Sequence, residues 1–515
     1  MQHAPAHPLD SGRLTADQVV DVARNGALVE LDEVTERGIE ATREHIDALA
    51  AANDPTYGVS TGFGALAIRH IPAERRAALQ QALVRSHAAG AGPAVEPEVV
   101  RALMLLRLRT LATGRTGARL GTARALAAML NAGIVPVVHE HGSLGCSGDL
   151  APLAAVALAL TGEGQVLHGA GGTRPAAEAL AEAGIEPVVL AEKEGLSLTN
   201  GTDGMLGMLV LALHDLRGLL EVADLTAAMS VEALLGTDRV FAAELHALRP
   251  HPGQARSAER IHRALAGSGI IASHRAPDCG RVQDAYSLRC APQVHGSALD
   301  LLAFADQVAE RELAAAIDNP VVLDDGRVES NGNFHGAPLA HALDYLAIPL
   351  ADVASMAERR TDRMLDVARS HGLPAFLAAD PGVDSGHMIA HYTQAGIVAE
   401  LKRLASPASV DSIPTSAMQE DHVSMGWAAA RKLRRAVDGL RTALAVELLT
   451  AARALDLRAP LTPAPATGAA RDLLRTRVPG PGPDAHLAPQ IAEAEALLRS
   501  GEINRIAHQL GGHES

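Results

Sequence analysis

Residues 142–153 read GSLGCSGDLAPL, and the triplet Cys146-Ser147-Gly148 inside this stretch is the most informative feature of the chain. The small residues around the triplet allow the backbone to bend until the amide nitrogen of Gly148 reaches the carbonyl carbon of Cys146. If that bond closes and two waters leave, one from the ring and one from the Ser147 side chain, the product is a methylidene-imidazolone (MIO). No ordinary side chain provides such an electrophile. The alternative is a plain turn before a helix that starts near Asp149, which is what most Gly-Ser stretches form.

Composition and charge exclude several kinds of partner. The chain has 515 residues, with 45 Lys and Arg against 60 Asp and Glu and a formal net charge of -15. Because the overall balance is not basic and no long basic run is present, we expect neither a nucleic-acid nor an anionic-membrane partner. The acidic surplus fits a protein that handles small molecules, although it also serves plain solubility.

The cysteines and the apolar runs predict a cellular location. Three cysteines are an odd number in a long chain, which speaks against a disulfide framework and favours a reducing compartment. The N-terminus lacks the basic start and apolar run of a secretory signal. Apolar runs such as residues 205–213 are too short to span a membrane. We therefore expect a cytoplasmic protein.

Apolar residues recur at helical spacing over long segments. Steps of three or four along one face connect Leu433, Val437, Leu440, Leu444 and Leu448. Similar patterns occur in parts of residues 97–112, 205–235 and 298–317. Because aromatic residues make up only 2% of the chain, the core of such helices is mainly aliphatic. The pattern predicts a mostly α fold with a central helical bundle and little β structure.

Turn-forming residues divide the chain. Residues 321–323 and 327–329 flank an Asp-Asp-Gly turn and predict one short hairpin. Prolines are concentrated in residues 460–489, which indicates a loop-rich join before a last helix at about residues 490–500. We predict an N-terminal part with the triplet, a central bundle, and a C-terminal segment of helix and loop, over residues 1–200, 201–460 and 461–515.

The stretch G-S-x-G-x-S-G-D-L-A-P-L resembles the signature of the histidine and aromatic amino acid ammonia-lyase family. The family usually carries Ala at the first triplet position, where this chain has Cys146. We expect the ring to form, because the side chain is still small and its carbonyl, not its sulfur, reacts. Further segments similar to family motifs occur in the family's order, at residues 57–64, 194–202, 282–294, 333–336 and 412–425.

This resemblance implies both a fold and an assembly. The fold is an elongated, mostly α central bundle of the ammonia-lyase (fumarase/aspartase-like) type. The assembly is a homotetramer in which each active site is built from more than one subunit. Residues of one site therefore need not converge within one chain.

The resemblance also implies three catalytic residues. The loop YGVSTGFG is similar to the family's mobile lid, which makes Tyr57 the base. An ordinary tyrosine titrates near ~10, so helix N-termini or a cation would have to lower the pKa of Tyr57. Tyr286, in VQDAYSLRCAPQV, would reach the substrate ring or the leaving amine, and Ser147 provides the electrophile. The simpler alternative for each tyrosine is packing only.

The implied binding residues favour an imidazole substrate. Ser86-His87 stands where relatives acting on phenylalanine or tyrosine carry Phe-Leu or His-Leu, and Glu420 stands where relatives acting on phenylalanine tend to carry Gln. Arg289 has the planar fork that clamps a carboxylate, and Gln283 would support it. The structural alternatives are a core histidine and solvated charged side chains.

Two further residues would lie next to the prosthetic ring. Asn200, in LTNGT, would offer its amide to the substrate and steady the ring, and Phe334, in NFHG, would pack beside it. Outside the family context these are a turn asparagine and a core phenylalanine.

The implied reaction converts L-histidine into trans-urocanate and ammonia, the first step of histidine degradation. The MIO ring from residues 146–148 would be the prosthetic group, and no metal is required. An alternative within the family is a tyrosine or phenylalanine ammonia-lyase or a 2,3-aminomutase. Alternatives of other classes are a metal-dependent hydrolase that uses His139 and His141, and a helical interaction scaffold. The spacing of those histidines is not H-E-x-x-H, which argues against the metal site.

Overall fold

The computed structural model describes residues 6–10, 12–51, 56, 58–62, 64–66, 68–169, 171–275 and 282–509. Tyr57 and Cys279 lie outside these ranges. The described chain is mostly α-helical, which confirms the predicted fold class. In chain order the helices are α1 (Ala16–Val20), α2 (Glu33–Ala51), α3 (Arg76–His87), α4 (Pro97–Ala112), α5 (Leu120–Asn131), α6 (Leu150–Leu160), α7 (Ala176–Glu182), α8 (Glu194–Thr199), α9 (Asp203–Ala233), α10 (Ala243–Ala247), α11 (Pro252–Ala264), α12 (Gly269–Ala272), α13 (Tyr286–Arg289), α14 (Ala291–Leu313), α15 (Ala337–Leu365), α16 (Met388–Leu404), α17 (Gly426–Asp456), α18 (Pro465–Arg475), α19 (Leu487–Arg499) and α20 (Glu502–His508).

The strands are short and form two-stranded pairs. The parallel pair is β1 (Ala6–Leu9) with β2 (Leu28–Leu31). The antiparallel pairs are β3 (Ala91–Ala94) with β4 (His139–His141), β5 (Gln165–His168) with β6 (Gly172–Pro175), and β7 (Val321–Val322) with β8 (Val328–Glu329). The last pair is the hairpin predicted around the Asp-Asp-Gly turn. Near the C-terminus, α18 lies within residues 460–489, which the sequence predicted to be loop-rich, and α20 follows α19, where the sequence predicted one last helix.

The chain forms two compact units. The first unit takes residues 1–211, 306–343 and 407–431, and the second takes residues 212–305, 344–406 and 432–515. Helices α9, α14, α15 and α17 contribute residues to both. The contiguous three-part division drawn from the sequence is a different partition, and it stays a prediction. None of the described helices combines the length and the apolarity needed to cross a membrane.

In the first unit, the elements that matter for function pack around α6. This helix is apolar on nearly every side, as its run of buried Ala, Leu and Val requires. It packs against α3 and α8. This packing holds three segments near one another: the C-terminus of α3, the loop before α6 and the C-terminus of α8. Each segment carries a predicted site residue.

In the second unit, the predicted apolar stripe of α17 is buried. Leu433, Val437, Leu440, Leu444 and Leu448 are each at most 1% exposed. On the same helix the carboxylate of Glu447 accepts hydrogen bonds from Thr226 and Ser230 on α9, each at 2.8 Å, and pairs with Arg360 on α15. The two charged side chains are fully buried. Such a pair is tolerated because every charge has a partner, and removing one partner leaves the other charge uncompensated.

Candidate active site

The triplet lies in the loop that leads into α6, and its backbone is tightly placed. Gly148 has φ +73°, and a Cβ at this position would lie 2.0 Å from the carbonyl oxygen of Gly201. The two glycines form a parallel bridge, and the amide of Asp149 donates to Gly201 O at 2.7 Å. Only glycine fits here, because a side chain would meet both strain and a clash. The triplet is thus held against the segment that carries Asn200.

Asp149 connects the triplet loop to the start of α9. It occupies the N-cap position of α6, as predicted, but its side chain caps a different helix. Oδ2 accepts from the amides of Gly204 and Met205, and Oδ1 accepts from the Ser143 hydroxyl, each at 2.9 Å. An anion at a helix N-terminus is favourable. Burial nevertheless raises the pKa of Asp149 to about 7, against the lowering effect of these hydrogen bonds.

A cavity of about 1110 Å³ opens beside the triplet. Its lining gathers six of the predicted site residues, which lie far apart in the sequence: His87, Cys146, Ser147, Asn200, Phe334 and Glu420. All of them belong to the first unit. The structure thus brings together the residues predicted for the ring and those predicted for the imidazole.

Glu420 touches the triplet directly. Its Oε1 accepts a hydrogen bond from the Ser147 hydroxyl at 2.9 Å, and its Oε2 accepts from the Cys146 thiol at 3.1 Å. The hydroxyl of Thr415 also donates to Oε2, at 3.1 Å. Burial, with a contribution from Glu420, raises the pKa of Cys146 to about 12. The sulfur therefore keeps its proton and acts as a hydrogen-bond donor rather than as a nucleophile.

His87 ends α3 and faces the same cavity. Its Nδ1 lies 2.9 Å from the carbonyl oxygen of Leu83, which can only accept, so Nδ1 carries the proton. Nε2 is then the acceptor nitrogen of a neutral imidazole. Burial lowers the pKa of His87, and the nearby charge of Glu420 opposes that shift. A neutral His87 and a carboxylate thus line one cavity.

Asn200 has an unpaired polar atom at this site. Its Nδ2 donates to the carbonyl oxygen of Asn319 at 2.9 Å, whereas its Oδ1 is buried without a hydrogen-bond partner. A buried polar atom of this kind is costly unless something binds it. The bent backbone at Gly148 fits a ring formed from the triplet itself, and the free amide oxygen beside it can accept an N–H of a bound amine.

Sequence reasoning missed several lining residues. His335 and His422 stack with ring centroids 5.3 Å apart, and Asn319, Ser330 and Asn331 line the cavity near Asn200. His335 and His422 stood inside quoted motifs but carried no separate signal. Asn319 follows Asp318 in a loop with no motif at all. Only the packed structure shows that these residues share a cavity with the triplet.

Other predicted residues are not among those that line the cavity. Gln283, Tyr286 and Arg289 belong to the second unit. There the guanidinium of Arg289 lies 4.7 Å from the centre of the Tyr286 ring and donates to Gln283 Oε1 at 2.9 Å. Arg360 donates to the carbonyl of Ser287 at 3.3 Å, which ties this group to the buried Glu447 pair. Tyr286 is 71% exposed. Tyr57 lies outside the described residues.

The histidines considered for a metal site lie on β4. His139 Nδ1 donates to the carbonyl oxygen of Gly92 at 2.8 Å. Over the described ranges no group of three or more His, Cys, Asp or Glu side chains is placed to hold a metal ion.

Comparison with known proteins identifies the class of this chain. It is a carbon–nitrogen lyase. More specifically, it belongs to the aromatic amino acid lyase family, whose model matches residues 14–476. A relative from Streptomyces coelicolor named histidine ammonia-lyase is 64% identical, over 97% of this chain and 98% of its own length.

Solved structures show the same fold. The histidine ammonia-lyase of Trypanosoma cruzi superposes with a TM-score of 0.90 at 37% identity, over 99% of this chain and 96% of that one. The tyrosine aminomutase of Streptomyces globisporus superposes with a TM-score of 0.92 at 37% identity, over 98% and 99% of the two chains. The helical fold predicted by the family resemblance is thereby confirmed.

Proposed function

We propose that this protein removes ammonia from L-histidine to give trans-urocanate. The observation that carries the proposal is Glu420, whose carboxylate lies within hydrogen-bond distance of Ser147 and shares a cavity with His87. Once the Ser147 hydroxyl has left, the Oε1 atom of this carboxylate can accept an imidazole N–H, whereas a phenyl ring offers it no donor. The relatives at 64% identity carry the same activity in their names.

The proposed prosthetic group forms from the chain itself. The amide nitrogen of Gly148 bonds to the carbonyl carbon of Cys146, and the carbonyl oxygen leaves as water with the amide hydrogens of Gly148 and Ser147, so that a C=N bond remains between that carbon and the Ser147 nitrogen. The hydroxyl of Ser147 leaves with the hydrogen on its Cα as a second water, which creates the methylidene group. Once formed, this group supplies an electrophile that turns the substrate amine into a better leaving group. Asn200 would lie beside it, and its amide oxygen, which lacks a partner here, would accept an N–H of the substrate amine.

The side chains of the cavity would orient the substrate ring. Glu420 accepts the imidazole N–H, and neutral His87 lines the same cavity beside the ring. Phe334 gives the cavity an apolar wall. With the ring fixed, the amine and the β-carbon are held next to the triplet, which is the positioning that lowers the entropic part of the barrier.

We propose the remaining roles for Tyr57, which lies outside the described residues, and for three residues of the second unit. Tyr57 would take the β-proton, Arg289 would hold the carboxylate with support from Gln283, and Tyr286 would reach the leaving amine. As the family resemblance implies, we propose a homotetramer in which Gln283, Tyr286 and Arg289 come from another subunit. We also propose that the enzyme works in the cytoplasm and needs no metal.

A substrate panel tests this function. Purified protein is incubated with L-histidine, L-phenylalanine or L-tyrosine, and the conjugated acid is followed by near-UV absorbance while β-amino acids are sought by chromatography. We expect urocanate from L-histidine only, and none from the Ser147→Ala variant. Turnover of the aromatic acids alone, or a β-amino acid as the main product, would refute the histidine assignment.

A further inference from the structure

The two carboxylate oxygens of Glu420 have different partners. Oε2 accepts from two donors that ring formation does not consume, the Thr415 hydroxyl and the Cys146 thiol. Oε1 accepts only the Ser147 hydroxyl among the described contacts. On the proposed function, that hydroxyl leaves as water when the ring forms. Ring formation therefore removes the donor of one oxygen and leaves the other oxygen held.

Thr415 is placed to hold the carboxylate by its backbone as well. Its amide donates to Glu420 O at 2.8 Å, and the amide of Glu420 donates back to Thr415 O at 3.3 Å. The turn between them contains Ser416, Ala417 and Met418, all with positive φ between 52° and 69°. Non-glycine residues adopt this conformation only where the surroundings impose it. The side chain of Thr415 is thus fixed opposite Glu420.

Cys146 supplies the second donor to the same oxygen. The side chain is 6% exposed, and its sulfur lies 3.1 Å from Oε2. The family usually has Ala at this position, which has no donor. The thiol is therefore a feature of this chain's triplet that ring chemistry at the carbonyl does not use.

We propose that Thr415 and Cys146 are positioning residues that hold Oε2 of Glu420, so that Oε1 is the oxygen that accepts the imidazole N–H. This proposal rests on the proposed function and adds to it the residues that set its selectivity. A ligand with an N–H at the ring gains a charge-assisted hydrogen bond, whereas a phenyl ligand gains none. Loosening Oε2 lets the carboxylate rotate away, which weakens only the imidazole ligand.

The test measures ligand binding by calorimetry with two probes that lack the amine and cannot react, imidazolylpropionate and phenylpropionate. The variants are Thr415→Val, which has the same shape without the hydroxyl, Cys146→Ala, and the matched control Thr415→Ser, which keeps the hydroxyl. We expect Thr415→Val and Cys146→Ala each to weaken imidazolylpropionate about threefold to tenfold, the range for one lost hydrogen bond. Phenylpropionate should bind as before, and Thr415→Ser should match the parent.

The same variants are also made on a Ser147→Ala background, where no methylidene group can form. Selective weakening of imidazolylpropionate should persist there, because Oε2 keeps the same two donors. Equal weakening of both probes, no weakening of either, or an effect confined to the ring-forming background would overturn the proposal. The mass of the peptide that contains residues 146–148 reports ring formation in each variant independently of activity.

Turnover of L-histidine tests the proposed function independently of the two binding probes. If the parent enzyme does not convert L-histidine, the histidine assignment fails whatever the two probes show. If it does convert L-histidine, KM should rise in Thr415→Val while kcat changes little, because the substrate ring is held less well. A fall in kcat with unchanged KM would mean that Thr415 does not act through substrate positioning.

Discussion

Glu420 shows how one side chain can decide the substrate. It lines a cavity with Phe334 and a neutral His87, and after the Ser147 hydroxyl leaves, its Oε1 atom is open to a donor from the ligand ring. The sequence predicted Glu420, His87, Ser147 and Asn200 as site residues from motif resemblance, and the structure gathers them at one cavity. It could not predict the Thr415 or Asn319 contacts, because these depend on how loops distant in sequence pack together.

Replacement of Glu420 by Gln should reduce selectivity for L-histidine. The amide keeps the shape but loses the charge, and its nitrogen can only donate. We expect kcat/KM for L-histidine to fall about tenfold to hundredfold, the range for a hydrogen bond to a charged group. Initial rates with L-histidine and L-phenylalanine measure the change in selectivity. An unchanged ratio of the two rates would show that Glu420 does not distinguish an imidazole ring from a phenyl ring.

At the scale of elements, short segments hold the site in place. Lys193 precedes α8 and Asn200 follows it, and the dipeptide Asp318-Asn319 contacts both ends. Lys193 Nζ donates to Asp318 Oδ2 at 2.5 Å, and Asn319 O accepts from Asn200. Helical spacing predicted the long helices well. It did not predict the contacts of Asp318-Asn319 with the two ends of α8, because a buried ion pair between two loops leaves no periodic pattern.

Breaking the Lys193–Asp318 pair should destabilise the protein. Both side chains are buried, at 0% and 1% exposure, so Asp318→Asn leaves an ammonium with no counter-charge. We expect a loss of about 3–5 kcal/mol in the free energy of unfolding, seen as a lower denaturant midpoint. The double variant Lys193→Met/Asp318→Leu should lose less than Asp318→Asn.

A matched control uses an exposed ion pair. Arg327→Gln breaks the surface pair with Asp325 and should change the denaturant midpoint very little. A loss in Asp318→Asn no larger than that of the surface control would show that the buried pair does not stabilise α8.

The contact of Asp149 with the start of α9 predicts a pH dependence of stability. Its pKa is raised to about 7 in the folded protein, above its ordinary value, so the folded state binds the proton more tightly. The stability that this tighter proton binding gives the folded state is fully present at low pH. It is lost as the pH rises from about 4 to about 7. We expect Asp149→Asn to flatten this part of the melting-temperature profile, with the exposed Glu33→Gln as control. Parallel profiles for Asp149→Asn and the parent would contradict the assignment.

At the scale of the whole molecule, the predicted site residues fall into two groups within one chain. Ser147 and Glu420 line the cavity of the first unit, whereas Tyr286 and Arg289 belong to the second. The sequence could predict this division only through the family resemblance to a homotetramer with shared sites. Composition and periodicity indicate helices but do not say which chain completes which site.

Shared sites predict that two inactive variants complement each other. Ser147→Ala and Arg289→Ala, coexpressed with different affinity tags and purified through both, should regain activity several-fold above either parent variant. The regained sites combine an intact cavity from one chain with an intact Arg289 from the other.

The control pairs Ser147→Ala with Glu420→Gln. These residues touch at 2.9 Å within one cavity, so every cavity in the mixed assembly keeps a defect. No gain of activity is expected from this mixture. Equal recovery in both mixtures, or recovery in neither, would argue against shared sites.

The most direct test of the central claim is the mass of the proteolytic peptide that contains Cys146-Ser147-Gly148, taken from a preparation that is turning over L-histidine. We expect the peptide to be lighter than its sequence by two waters in the parent enzyme. In Ser147→Ala we expect a peptide that still contains the oxygen of the Cys146 carbonyl or lacks one water at most, together with loss of urocanate formation. An unmodified triplet in a fully active preparation would contradict the account, because the electrophile would then have to come from elsewhere.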